Sequence, residues 1–271
     1  VGMIKMLKES VLDEHICWRS CRALRTMILN ESMSERLREV SAYGELDLIC
    51  LEILQTHTEV DSLTSLVQGQ AVQLLGVVTF GSDLVRRRAG ENGAMKWISI
   101  AIEKYGGADE KVLQHCLTSV TNLAHNSQDN RHRFIDCGGL DSLTDAMERH
   151  LNSSKVQRQG CWAMLTLAGS DETARLVAQA GGSRTLMTLI NALLRHPGDS
   201  GVQQFGLWAI SNMALAGSDI TRRLKKAGAP EICRIAIETH ARDAEVIRQA
   251  RHAIGVLGNA NAQANSPKKK K

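Results

Sequence analysis

Apolar and polar residues follow a helical period along most of this chain. In Gln159-Gly160-Cys161-Trp162-Ala163-Met164-Leu165-Thr166-Leu167-Ala168 the apolar positions recur three and four apart, and Phe205-Gly206-Leu207-Trp208-Ala209-Ile210-Ser211-Asn212-Met213-Ala214 repeats the pattern. Residues so spaced share one face of a helix. Pro occurs only at positions 197, 230 and 267, so little interrupts helix formation. Small polar clusters punctuate the apolar stretches at Gly81-Ser82-Asp83, His125-Asn126-Ser127, Gly169-Ser170-Asp171 and Gly217-Ser218-Asp219. The residues just before them, Phe80, Ala124, Ala168 and Ala216, are separated by steps of 44, 44 and 48. A fixed spacing of this size marks a repeat array.

Each repeat reads as a short helix, a middle helix and a long helix. Ser, Asn and Asp open the short segment as N-caps. It closes on Gly at Asn92-Gly93, Gly138-Gly139, Gly181-Gly182 and Ala227-Gly228, where a left-handed residue ends a helix. A middle helix is expected over 183–194, then a turn at His196-Pro197-Gly198-Asp199-Ser200, then the long helix. Five full repeats start near Ser32, Ser82, Asn126, Ser170 and Ser218, and a partial one precedes them with apolar Ile4 and Leu7 and a helix over 14–29. The organisation expected is a partial repeat at 1–31, five repeats forming one solenoid at 32–258 and a disordered tail at 259–271.

The two long segments quoted above resemble the third-helix pattern of armadillo repeats, G-x-W-A-L-x-N-L-A, and Val120-Thr121-Asn122-Leu123-Ala124 matches it in part. The chain is thereby identified as a member of the armadillo repeat family. That resemblance implies an all-α fold, a right-handed α-solenoid of three-helix repeats, with the third helices side by side along a concave face. One repeat cannot bury its apolar face alone, so stacking is obligatory.

Aligning the long helices on the Trp position predicts six rungs: Trp18/Arg22/Thr26, Gln70/Leu74/Val78, Gln114/Thr118/Asn122, Arg158/Trp162/Thr166, Gln204/Trp208/Asn212 and Arg248/His252/Val256. The adjoining face, with Leu117, Val120, Leu123, Cys161, Met164, Leu165 and Leu167, is apolar and expected in the core. The rungs are therefore expected to form an exposed protein-binding groove, centred on Gln114, Thr118, Asn122, Arg158, Trp162, Thr166, Gln204, Trp208, Asn212, Arg248 and His252. Trp and Arg are common hot-spot residues, and Asn can bond a bound backbone. A plainer role stands beside each: Trp as packing between repeats, Asn122 and Asn212 as bridges to neighbouring backbone, Trp18 and Trp97 as structural. Arg86-Arg87-Arg88 reads as a solvated face.

Charge narrows the function further. The net charge is +4, but the lysines at 268–271 supply four of the 33 basic residues, so the rest of the chain carries 29 against 29 acidic ones. A neutral body argues against a general nucleic-acid binder. The lysine run reads as a solubilising tail, four charges being at the low end of what a lipid contact uses. Seven scattered cysteines include no C-x-x-C pair, and Cys17 and Cys21 lack a His at matching spacing, so neither disulfide framework nor metal site is expected. P-loop, G-x-G-x-x-G, H-E-x-x-H and G-x-S-x-G motifs are absent. No enzyme, cofactor, catalytic residue, nucleic-acid partner or membrane span is expected, and a monomer is.

Two kinds of armadillo protein are then weighed. Importins alpha hold basic peptides on a Trp and Asn ladder, but W-x-x-x-N is complete here only at Trp208/Asn212, and Arg158 and Arg248 in the groove would repel a basic peptide. A chain of little besides repeats resembles instead the Armadillo Repeats Only family of apicomplexan parasites. That resemblance implies a scaffold at the cytosolic face of the rhoptry membrane, held by an acylated leader absent from this sequence. Its expected partners are a myosin motor, an adenylate cyclase and a small interacting protein. The alternative is a cargo-reading armadillo domain of a larger transport or signalling protein.

Overall fold

The computed structural model describes residues 2–30, 45–80, 82–180 and 183–264, with side-chain detail as far as 258. Among the described residues there are sixteen helices and no strand. In chain order they are α1 (Gly2–Glu9), α2 (Glu14–Leu29), α3 (Leu46–Thr56), α4 (Ser62–Thr79), α5 (Asp83–Glu91), α6 (Ala94–Tyr105), α7 (Glu110–Ala124) and α8 (Gln128–Asp136). They continue as α9 (Gly139–Arg149), α10 (Ser154–Leu167), α11 (Asp171–Gln179), α12 (Arg184–Arg195), α13 (Ser200–Leu215), α14 (Ser218–Lys226), α15 (Ala229–Thr239) and α16 (Ala244–Ala264). The chain divides into two compact units, Val1–Ala146 and Met147–Lys271.

Local chemistry sets the helix ends. Asp13, Asp61, Asp109, Ser153 and Asp199 cap the long helices α2, α4, α7, α10 and α13, each side chain accepting from an N–H of the first turn. Ser82, Ser127 and Ser170 do the same for the short helices α5, α8 and α11. Gly93, Gly138 and Gly228 take φ of 87°, 79° and 88° at the turns into α6, α9 and α15, a left-handed conformation that favours glycine. The predicted helix at 183–194 is α12, displaced by one residue. The predicted end near Gly258 is overrun, because α16 continues to Ala264. The repeat start near Ser32, the junction Gly181-Gly182 and the lysine tail lie outside the described residues.

In the first unit the long helices α2, α4 and α7 pack in succession, with α3 behind α4 and α6 behind α7. In the second, α10, α13 and α16 do so, with α12 behind α13 and α15 behind α16. Gly76 permits the close approach of α4 and α7: a Cβ there would lie 2.4 Å from Ser119 Oγ and 3.2 Å from Ser119 Cα. Leu, Ile, Val, Ala and Met fill both interiors, and Phe134 is the largest fully buried side chain among the described residues. The predicted core face is buried at every position named, Leu165 at 8% exposure being the most open.

Two polar devices recur in both units. Buried Gln68, Gln157 and Gln203 each donate to two carbonyls at the end of the middle helix: Leu54 and His57, Met147 and His150, Leu193 and His196. Those carbonyls would otherwise be orphaned at a helix C-terminus. Rings at the C-terminal ends of the middle helices α3, α6, α12 and α15 reach back to the preceding repeat. His57 Nε2 is 2.6 Å from the Val11 carbonyl, Tyr105 Oη donates to Glu59 at 2.9 Å, and His196 and His240 approach the Leu151 and Pro197 carbonyls at 2.7 and 2.8 Å. A carbonyl only accepts, so Nε2 carries the proton in all three histidines.

The arginine run at 86–88 is not a solvated face. Arg86 is buried, donates from Nε to the Asn122 carbonyl and pairs with Asp83. Arg88 donates to both carboxylate oxygens of Asp47, which is fully buried on α3. Only Arg87 of the three is exposed.

Candidate functional site

The second unit carries the richest part of the predicted groove. Trp162 on α10 and Trp208 on α13 are 37% and 38% exposed, and the Trp162 ring stacks on Phe205 of α13 with centroids 5.3 Å apart and planes 13° from parallel. Phe205, half-buried, was not among the residues singled out by pattern. It lies three residues before Trp208, so its place beside that Trp was legible, but its contact with Trp162 depends on how α13 seats against α10.

Arg158 does not present a free charge. Its Nε and Nη2 donate to the two carboxylate oxygens of Asp199 at 3.2 and 2.7 Å. Asp199 also caps α13 through the Val202 N–H. Gly201 leaves room for this clamp, since a Cβ there would lie 2.6 Å from Arg158 Nε. Burial pushes the Asp199 carboxyl up, but the Arg158 guanidinium and the Val202 N–H outweigh it, and the net is below the ordinary value of 3.8. Hydrogen bonding to Asp199 raises Arg158 in turn. On α16, Arg248 is likewise bidentate to Glu245, and His252 is exposed one turn on. Arg158 and Arg248 are therefore both paired, which corrects the expectation that these two would repel a cationic ligand.

The polar rungs are partly occupied. Thr166 and Thr118 bond back to the Trp162 and Gln114 carbonyls, each on its own helix. Asn212 Nδ2 donates to the Ala168 carbonyl at 3.1 Å, and Asn122 Nδ2 to the Gly76 carbonyl at 2.9 Å. The plainer role of these asparagines, bridging to the preceding long helix, is thus present. Gln204 is half-buried, and Gln114 donates to Glu110.

In the first unit the predicted α4 rung is displaced. Leu74 and Val78 are core residues, 0% and 5% exposed. The buried glutamine provides the register: Gln68 corresponds to Gln157 and Gln203, so Gln73 and Val77, both half-buried, hold the positions of Trp162 and Thr166. Spacing the repeats by loop position slipped this rung by one residue, which turns a helix by about 100°. The α2 rung stands as aligned, with Trp18 half-buried and Arg22 and Thr26 exposed.

Among the described residues several buried polar atoms of this unit meet no hydrogen-bond partner: Trp18 Nε1, Arg25 Nε, Ser65 Oγ, Gln70 Oε1 and His115 Nδ1. Burial first, then the Arg25 charge, hold the His115 imidazole below its ordinary value. The thiols offer no such opening. Cys17, Cys116, Cys161 and Cys233 are buried, and burial pushes each up to about 12, far from a reactive thiolate. Among the described residues no group of His, Cys, Asp and Glu is arranged to hold a metal, and no helix is long and apolar enough to cross a membrane.

No protein-family model matches the chain, and no curated protein does. Solved structures do match. An engineered protein from a structural genomics consortium superposes with a TM-score of 0.79 at 20% identity, covering 96% of each chain. A designed armadillo repeat protein solved in complex with the peptide (KR)4 gives 0.75 at 19%, covering 94% of this chain and 98% of that one. Another designed armadillo repeat protein gives 0.77 at 18%, with the same coverage. These likenesses show the fold: an all-α, armadillo-type solenoid of three-helix repeats.

Proposed function

We propose that this chain is a non-enzymatic scaffold that binds peptide segments of other proteins along the long helices of its second unit. The observation that carries this reading is the pair of half-exposed tryptophans, Trp162 stacked on Phe205 and Trp208 on the same helix as Phe205, flanked by arginines already neutralised by Asp199 and Glu245. Aromatic faces of this kind bind apolar side chains and the stems and charges of cationic ones. Arg158, Thr166, Gln204, Asn212, Arg248 and His252 would frame the bound chain there, and Gln114, Thr118 and Asn122 would serve the corresponding place on α7.

The test is a peptide array probed with wild type and with Trp162→Ala/Trp208→Ala, circular dichroism confirming retained helicity. Loss of the bound spots supports the reading. An unchanged pattern removes it.

Cargo reading of the importin-alpha kind gains support from the paired arginines, which leave the aromatic faces open to Lys or Arg. The finer scaffold reading, a tether at the rhoptry membrane for a myosin motor, an adenylate cyclase and a small interacting protein, rests on the resemblance to the Armadillo Repeats Only family alone. Direct titration of the purified chain with each named partner tests it, and absence of saturable binding to all three rejects it.

A further inference from the structure

We infer that the outward edge of the short helix α14, in the second unit, docks an acidic segment of a partner protein through Arg222 and Lys226. The short helices α5, α11 and α14 align on their N-caps, Ser82, Ser170 and Gly217. The third and seventh residues beyond each cap are core, as Ile220 and Leu224 are on α14. The fifth and ninth face outward: Arg87 and Glu91 on α5, Arg175 and Gln179 on α11, and Arg222 and Lys226 on α14 are all exposed. Further repeats follow α5 and α11 and leave these positions open, so their exposure on α14 does not depend on what lies beyond it.

Charge sets α14 apart from its counterparts. On α5 the outward pair is Arg87 and Glu91, opposite charges one turn apart that favour each other. On α14 it is two cations one turn apart, which repel. Among the described residues neither Arg222 nor Lys226 is paired with a carboxylate. Arg223 and Lys225 lie between them, and Asp219 in the first turn is the sole acid of the helix. The partial negative charge at a helix C-terminus offsets part of the repulsion, and a carboxylate from outside would offset more. The surroundings share the sign: residues 1–146 hold more Asp and Glu than Lys and Arg, and residues 147–258 the reverse.

The same helix specifies the occupant. Ile220, Thr221 and Leu224 are buried, so its outward side offers no apolar residue to a lipid or to an amphipathic helix. Arg222 and Lys226 are four residues apart, about 6 Å along the axis. Alternate residues of an extended segment stand about 7 Å apart on one side, so carboxylates at every second residue meet both cations. The guanidinium takes one carboxylate through two parallel hydrogen bonds, and the ammonium takes the next as a point charge. A nucleic acid calls for a longer basic stripe, and the chain outside its last four lysines has no basic excess. The surface is distinct from the aromatic one, whose Trp162 and Trp208 stand on α10 and α13.

The experiment uses the whole chain and a fluorescein-labelled peptide of about 12 residues, Glu alternating with Ser to match the spacing of the cations. Control peptides have Gln or Lys for every Glu. Anisotropy should show saturable binding of the Glu peptide, weakening as salt is raised from about 50 to about 200 mM. Arg222→Glu/Lys226→Glu should lower that affinity about tenfold or more and should gain binding of the Lys peptide. Lys5→Glu/Lys8→Glu, the same change in net charge on the first unit, and Trp162→Ala/Trp208→Ala should leave it within about twofold. Circular dichroism checks that each variant keeps its helicity. Equal binding of the Gln peptide, or an equal loss with Lys5→Glu/Lys8→Glu, would overturn the inference. So would a loss seen only with Trp162→Ala/Trp208→Ala, or only with Lys268→Gln/Lys269→Gln/Lys270→Gln/Lys271→Gln. Tighter binding to phosphatidylserine vesicles or oligouridine than to the Glu peptide would overturn it too. Self-association of the chain that Arg222→Glu/Lys226→Glu abolishes would do the same, making a second copy the occupant.

Discussion

The long helices at the start of the first unit and in the middle of the second present opposite surfaces on the same frame. Six and nine residues beyond the N-cap, α2 carries Arg19 and Arg22, while α13 carries Phe205 and Trp208. In the second unit both groove arginines lie against carboxylates, Arg158 with Asp199 and Arg248 with Glu245. On α2 the arginines meet none among the described residues. The repeat fixes where a side chain stands, and the residue placed there decides whether the surface is aromatic and neutral or cationic.

The largest effect expected on this comparison is structural. The first unit buries the Asp47 carboxylate against Arg88, a pairing for which the described part of the second unit has no counterpart. Arg88→Ala should destabilise the protein by about 3 kcal/mol or more in urea denaturation, because an unpaired buried charge remains. A loss under about 1 kcal/mol would mean that water replaces the guanidinium. Next, Trp162→Ala/Trp208→Ala should weaken binding of array-selected peptides by about 2 kcal/mol, roughly thirtyfold, in anisotropy titrations. Arg19→Glu/Arg22→Glu should leave those peptides unaffected, which separates the two surfaces.

Gln68→Leu and Gln203→Leu should each cost about 1–3 kcal/mol by stranding two carbonyls, and by similar amounts if the device is equivalent in both units. The smallest effect concerns Arg158. The Asp199 carboxyl titrates below its ordinary value, so its pairing stabilises the fold above 3.8 and that stability is lost as pH falls through the lower folded value. Arg158→Gln should thus be less stable than wild type near neutrality, by less than about 1 kcal/mol since the pair is part-exposed. The gap should close in acid. A gap that persists there would show that Arg158 acts by packing alone.

Part of the site was legible because helical period is a local property. The buried faces of α7 and α10 follow from spacing, and the rungs that hold Trp162 and Trp208 follow from the armadillo resemblance, with a packing role for each Trp left open beside the groove role. Leu74 and Val78 show the limit. Loop landmarks placed them on the groove, yet Phe80 is already the C-cap of α4 whereas Ala124 is the last residue of α7, whose cap is His125, so matching by loop position slipped the register by one residue. The charge state of the groove was also out of reach, because Arg158 and Asp199 are 41 residues apart and meet only when α10 and α13 are stacked.

What the sequence determined by itself was the helical class, the repeat length and the caps, since each depends on residues within a turn or two of one another. The tertiary structure alone decided the groove register on α4, the pairing of its arginines, and the ring contacts of His57, Tyr105, His196 and His240 with carbonyls 43 to 46 residues earlier. Those contacts require one repeat to stand at a definite height and rotation against the last. That placement is set by close packing at points such as Gly76 and Ser119, where two helices meet with no space for a Cβ, and periodicity within a single helix does not encode it.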